Sequence, residues 1–260
     1  MESQMSFHSP EATYEEFFLW FNSEDAEGWA NVMQYPHIRI SSGINSSYLS
    51  TSGLSYFETK NDYANAVSWE SFKASGWVRT HRIDPVRIHE SEHKVHLAGG
   101  WTRYDENDEP IVSNRVTYIL TQIIKGTWKI QARFGVDSFN ELEDHSYSSN
   151  SAIDIVQQHL DAWNTADFSR CIDLANYPLI DVGTGRISQF DTPEDYAEVL
   201  ARREWFVTSD YKINAFQIGS NGVNISVDAN LANGDNEQII FLVALVDSDW
   251  RIIGRSRIRE

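Results

Sequence analysis

The sequence has no second cysteine: Cys171 stands alone among 260 residues, so no intrachain disulfide braces the chain. It also has few positive charges, 21 Lys and Arg against 38 Asp and Glu, for a net charge of -17. A surface that negative repels phosphate backbones, which argues against nucleic-acid binding, and it argues equally against docking on anionic lipid. Long apolar runs are absent too. The longest, Ile239 to Val246, is far too short to cross a bilayer, so no membrane association is expected. The opening MESQMSFHSPEATYEE lacks a basic region followed by an apolar one, so no secretory leader is expected and the expected setting is cytoplasmic. There is no Gly-rich phosphate loop, no nucleophile elbow and no Cys–His pairing signal, so no cofactor is expected.

What is present is a hydrophobic fraction of 41% and an aromatic fraction of 13%, enough for a sizeable core. A passage also occurs twice. FNSEDAEGWANVMQYPHIRISSG (21–43) and WNTADFSRCIDLANYPLIDVGTG (163–185) share Asn, Asp, Tyr, Pro, Ile and Gly at six aligned positions, where about one or two would match by chance. NDYANAV (61–67) matches EDYAEVL (194–200), and GTWKIQAR (126–133) matches SDWRIIGR (248–255). The offset falls from 142 to 133 to 122 along the chain, so the second copy is 20 residues shorter. Such losses belong in loops.

Each copy reads the same way. A first helix carries Tyr14, Phe17, Phe18 and Phe21, or Ile153, Val156, Leu160 and Trp163, with Ser9-Pro10 as the first copy's N-terminal signal. A short helix opens at Asp25 or Asp167 and stops before Tyr35-Pro36 or Tyr177-Pro178. A strand then runs to Gly43 or Gly185, and a third helix spans about 54–72 or 193–206. Four strands close each copy: about 77–89, 94–104, 112–124 and 127–136 in the first, and 207–218, 223–231, 237–246 and 250–258 in the second. The pattern is α+β, as two domains over 8–137 and 151–260 joined by the polar linker 137–150. IIFLVALV is apolar at every position, so both faces of its strand should be covered. The expected cover is the sheet of the other copy, making an intramolecular pseudo-dimer; a second chain, in a further homo-oligomer, is the alternative.

Asn22 and Asn164, and Asp25 and Asp167, read as structural: the aspartates cap the second helix and the asparagines tie the helix turn. Cys171, which aligns with Trp29, reads as a small buried hydrophobe. His89, His93 and His96 straddle a hairpin turn without an acid or Cys cluster, so no metal is expected. Arg133 and Arg255 recur beside the final Trp and read as partners of acidic neighbours.

The helix leading into N-x-x-D, the Tyr-Pro pair, the strand to Gly and the closing W-[KR]-I resemble the nuclear transport factor 2-like superfamily, and within it the SnoaL-like and ketosteroid-isomerase-like branch. The resemblance covers both halves. It implies two tandem cone-shaped α+β barrels, cystatin-like, each with a strongly bent sheet wrapped around a long third helix and a pocket at the open end. Isomerases of that branch need a phenol on the first helix and an aspartate base before the strand-end glycine. The phenol position holds Phe17 in the first copy and His159 in the second; the base region holds Arg39 and Asp181. His159 and Asp181 are therefore the second copy's candidates for acid–base work, with Asp181 one residue out of step. In the first copy, His81 is the catalytic candidate, and Tyr14, Phe17, Trp101, Arg103 and Tyr118 are the expected ligand-binding residues, provided the face carrying Arg79 and His81 lines the cone. The other reading of that polar set is salt bridging between the copies. The function expected is binding of a small, largely apolar ligand. The alternatives are a SnoaL-like isomerase, dehydratase or cyclase using general acid–base catalysis, or a non-catalytic partner-binding module.

Overall fold

A computed structural model of the chain describes residues 8–42, 53–136, 144–202 and 207–259. The chain divides into two compact units, residues 1–138 with 184–186 and residues 139–183 with 187–260. The first runs α1 (Pro10–Asn22), α2 (Ala26–Asn31), β1 (Met33–Ser41), β2 (Leu54–Phe57), α3 (Lys60–Asn65), α4 (Trp69–Ala74), β3 (Arg79–Glu90), β4 (Lys94–Tyr104), β5 (Pro110–Ile124) and β6 (Thr127–Val136). The second runs α5 (Ser146–Asn164), α6 (Phe168–Asp173), β7 (Ala175–Gly183), β8 (Arg186–Phe190), α7 (Pro193–Arg202), β9 (Thr208–Ile218), β10 (Gly222–Leu231), β11 (Asn236–Val246) and β12 (Asp249–Arg259). Among the described residues the sheets have six strands each, in the orders β2-β1-β6-β5-β4-β3 and β8-β7-β12-β11-β10-β9. The first strand pairs parallel with the last in both, β1 with β6 and β7 with β12. The identical order establishes two tandem α+β domains.

Local chemistry explains the elements. Ser9 accepts from the Ala12 N–H at 3.1 Å to start α1, and the Tyr14, Phe17, Phe18 and Phe21 face is buried. Asp25 accepts from the Gly28 N–H at 2.8 Å and Asp167 from the Arg170 N–H at 3.0 Å, so both aspartates cap their helices as expected. Tyr35 and Tyr177, each followed by a cis proline, send their hydroxyls back to the helix carbonyls of Ala30 and Ile172. Cys171 is buried, and burial pushes its thiol up to about 11.

The repeated asparagines do more than tie a turn. Asn22 receives the Thr80 N–H at 2.8 Å and donates to the Thr80 carbonyl at 2.9 Å. Asn164 makes the same pair with Thr208, at 2.8 and 3.3 Å. Each amide bridges the end of the first helix to the start of the outermost long strand. Tyr14 supplies a second tie. Its hydroxyl accepts from the Gly100 N–H at 3.1 Å and donates to the Ile83 carbonyl at 2.8 Å. The β3–β4 register shifts just beyond, between Ile83 and Val86, and a bulge there bends the strand.

The third helix differs from expectation. In the first unit, 54–72 is a strand, the short helix α3 and the first part of α4. Leu54–Phe57 pairs antiparallel with His37–Ile40. The Thr59–Asp62 capping box then starts α3, and Ser68 caps α4. Two N-caps within one stretch divide it, because each offers the backbone a fresh helix start. In the second unit β8 was likewise unforeseen, and the expected helix end at 203–206 lies outside the described residues. The helix laid along each sheet is therefore the first one, α1 or α5, and not the third. Gly43 and 137–143 of the expected linker also lie outside the described residues, while α5 begins at Ser146, inside that stretch.

Replacing Asn22 or Asn164 with Ala leaves the backbone groups of Thr80 or Thr208 without their partner. Each substitution is expected to lower stability by about 2 kcal/mol, measured as a shift in urea unfolding midpoint at constant m.

Candidate functional site

In the first unit a cavity of about 130 Å³ opens between α1, α2, α4 and the inner face of the sheet. Six rings line it: Phe17, Phe18 and Phe21 from α1, Trp29 from α2, Phe72 from α4 and Trp101 from β4. Three guanidinium groups line it as well, from Arg39 on β1, Arg103 on β4 and Arg133 on β6. Among the described lining residues no Asp, Glu, His, Lys, Tyr or Cys occurs.

The guanidinium groups rest on ring faces. Arg39 lies 4.9 Å from the Phe57 centroid and 5.6 Å from that of Tyr63. Arg103 lies 4.4 Å from Trp101 and 4.6 Å from Phe72, and Arg133 lies 5.1 Å from Phe17. Arg133 also donates to the Tyr63 hydroxyl at 3.1 Å. Burial is the largest cause; it outweighs the opposing effect of Tyr63 and, with the lesser contributions of the Arg133 and Arg103 charges, brings Arg39 down to about 10. It stays protonated at neutral pH.

Of the residues expected to bind ligand, Phe17, Trp101 and Arg103 line the cavity. Tyr14 and Tyr118 do not. The Tyr14 hydroxyl is committed to the backbone of β3 and β4. Tyr118 is fully buried behind Phe17, with ring centroids 5.6 Å apart, and burial raises its phenol far above the usual range. His81 sits elsewhere. It pairs in register with Thr102, whereas Thr80 pairs with Arg103. The alternation of a strand therefore sends Thr80 to the cavity and His81 to the outer face, where His81 is exposed, accepts from Arg79 Nε at 2.9 Å and lies 4.9 Å from the Tyr104 ring. The face carrying Arg79 and His81 does not line the cone. Sequence reasoning overlooked Trp29, Phe72 and Arg133 as lining residues, and saw Arg39 only as the occupant of a base position.

The second unit does not bring His159 and Asp181 together as an acid–base pair. Asp181 accepts from Arg255 Nε at 3.0 Å and is bridged by Arg255 and Arg257 at 2.9 and 3.1 Å. Arg255 also donates to Tyr196 at 2.6 Å. Burial opposes the charge of Arg255, yet Asp181 and Tyr196 outweigh it and hold the guanidinium charged. His159 is buried, its Nδ1 has no hydrogen-bond partner among the described residues, and burial followed by the charges of Arg255 and Arg257 lowers it to about 3. Of the three histidines of the hairpin, His89 and His96 are buried with Nδ1 atoms 3.1 Å apart, and His93 is exposed.

No family model and no curated protein matches the sequence. Solved structures do. A domain of unknown function with a cystatin-like fold from Nostoc punctiforme is 12% identical over 66% of this chain and 94% of its own, with a TM-score of 0.40. A ketosteroid isomerase-like protein from Erwinia carotovora atroseptica is 10% identical over 53% of this chain and 100% of its own, at 0.39. An NTF2-like protein of unknown function from Shewanella baltica is 10% identical over 45% of this chain and 98% of its own, at 0.36. Two tandem α+β domains make up this chain, on the strand pairing described above.

Two predictions test the second unit. Asp181→Ala leaves Arg255 buried and uncompensated, and is expected to destabilise by about 3–5 kcal/mol in urea unfolding; adding Arg255→Met should recover a large part of the loss. His159 is neutral when folded down to about 3 but takes a proton below 6.5 when unfolded. Its contribution is therefore complete above 6.5 and is lost progressively as pH falls. In the window just below 6.5, His159→Gln should flatten the fall of stability by up to about 1.4 kcal/mol per pH unit, read from unfolding curves at successive pH values.

Proposed function

We propose that the first unit is a small-molecule-binding domain whose ligand sits in the cavity between α1 and the sheet. One observation carries this reading: a concave site walled by six aromatic rings with a few polar groups, Thr80, Asn114 and the arginines, among them. That is the usual composition of a small-ligand site. The volume of about 130 Å³ is near the ~150 Å³ of an engineered apolar cavity that accepts benzene, so the ligand is on the scale of a single ring.

Binding is favoured over proton-transfer catalysis by the ionisable groups on the wall. A general acid or base must change protonation near the working pH and lie within hydrogen-bond reach of the substrate. Among the described lining residues the only ionisable groups are arginines, and a guanidinium does not exchange its proton near neutral pH. The first copy has Phe17 where an isomerase would carry its phenol and Arg39 in the region of the base.

Trp29 and Trp101 on the wall provide the readout. A panel of monocyclic compounds should include members that change tryptophan fluorescence and raise the melting temperature. At a hundredfold excess over Kd the stabilisation is about 2.7 kcal/mol, or roughly 10 °C for a unit of this size. A panel that leaves both signals unchanged overturns the reading.

A further inference from the structure

The two units carry the same arginine in the same place and answer it differently. Arg133 and Arg255 both follow the last Trp of their copy, and each donates to an equivalent tyrosine hydroxyl, Tyr63 or Tyr196. The adjacent residue on the parallel partner strand is where they part. On β7, Asp181 pairs in register with Arg255 and takes its guanidinium at 2.9 Å. On β1, the aligned residue is Arg39, in register with Arg133. A carboxylate in one unit is a second guanidinium in the other.

Arg39 and Arg133 both face the cavity, and no carboxylate lies among its described lining residues. The Nε atoms of Arg39 and Arg133 are buried with no hydrogen-bond partner among the described residues. Ring faces offset part of the charge, at about 0.5–2 kcal/mol each, but a ring face leaves forked N–H donors without acceptors. A planar carboxylate supplies two acceptor oxygens in the geometry such donors favour. The rest of the wall is aromatic and has room for one ring.

We propose that the cavity of the first unit binds a small monocyclic aromatic carboxylate, its carboxylate held by Arg39 and Arg133 where the second unit has its own Asp181, and its ring among Phe17, Phe21, Trp29 and Trp101. The proposal rests on the small-molecule reading of this cavity and names the ligand's chemical class. It adds a charged end to the small, largely apolar ligand that the sequence led us to expect.

The test uses the full chain, benzoate as the probe and benzamide as its neutral counterpart, with titrations followed by tryptophan fluorescence and calorimetry. Benzoate should bind at least 10-fold more tightly than benzamide, and more weakly as salt rises. Arg39→Asp recreates the second unit's ion pair; it should retain or raise the melting temperature while weakening benzoate by roughly 10- to 100-fold, the range of a charge-assisted hydrogen bond. Arg39→Gln, which removes the charge without adding a carboxylate, should weaken benzoate to a similar degree and serves if Arg39→Asp fails to fold. Equal binding of benzoate and benzamide, or benzoate binding unaffected by both substitutions, overturns the carboxylate assignment and leaves the small-molecule reading intact. No benzoate binding overturns it as well, and the response to the wider monocyclic panel then decides separately whether the cavity binds small molecules at all.

Discussion

Each unit depends on where its first helix lies along a bent sheet, and one asparagine amide sets that position. Asn22 ends α1 and exchanges two hydrogen bonds with the backbone of Thr80, at the start of β3. With that end fixed, helical periodicity dictates which side chains follow along the sheet: Phe21, then Phe17 and Phe18, then Tyr14. The Tyr14 hydroxyl meets β3 and β4 about two turns away, where Gly99 admits it and Gly100 lets the strands approach. A Cβ on Gly99 would lie 2.5 Å from that hydroxyl, and one on Gly100, at φ 151°, would lie 2.2 Å from the Asn114 carbonyl oxygen. The helix is thus held at both ends. Phe17 and Phe21, between the ties, face the cavity. The second unit repeats the first tie through Asn164 and Thr208 but has Val156 where Tyr14 stands.

The aromatic content of the first unit follows from its charges. A guanidinium taken out of water needs hydrogen bonds, an opposite charge or a polarisable face. Arg255 has the first two in Tyr196 and Asp181. Arg133 has a tyrosine and the faces of Phe17 and Trp29, and Arg39 has the faces of Phe57 and Tyr63. The rings that wall the cavity, and those behind it, also support the cations that line it.

How much of this was legible in the sequence varied with the kind of signal. The duplication, the aromatic stripe of α1 and the aspartate caps were readable because helical spacing and capping are local. The Asn–Thr tie was not, since Thr80 is 58 residues from Asn22 and nothing in the sequence marks it as a partner. The short strand Leu54–Phe57 lay within a pattern that also suited a helix, and only its pairing with β1 decides. Within the candidate site, His81 differed by parity, while Phe17, Trp101 and Arg103 line the cavity. Thr80 and His81 differ by one position, and a one-residue difference on a strand exchanges the inside for the outside. One signal on which the proposed site rests was in the sequence: Arg39 and Asp181 align across copies with opposite charge, beside an arginine that both copies keep.

That reversal explains why two sibling domains need not have one role. Arg39 and Arg133 stand in register on adjacent parallel strands, and their like charges repel. An Asp at the same place converts the repulsion to an attraction of similar size, and the second unit has taken that course with Asp181. Ring faces at about 0.5–2 kcal/mol each offset much of the repulsion in the first unit, so it can fold without a carboxylate of its own. On the proposal made above, what they leave is a site that favours a ligand of one sign. An anion entering it reduces the repulsion between Arg39 and Arg133 and meets donors that the fold has left without acceptors. In the second unit the aligned position carries Asp181, so Arg255 already has, from its own chain, the carboxylate that the proposal assigns to a ligand in the first unit.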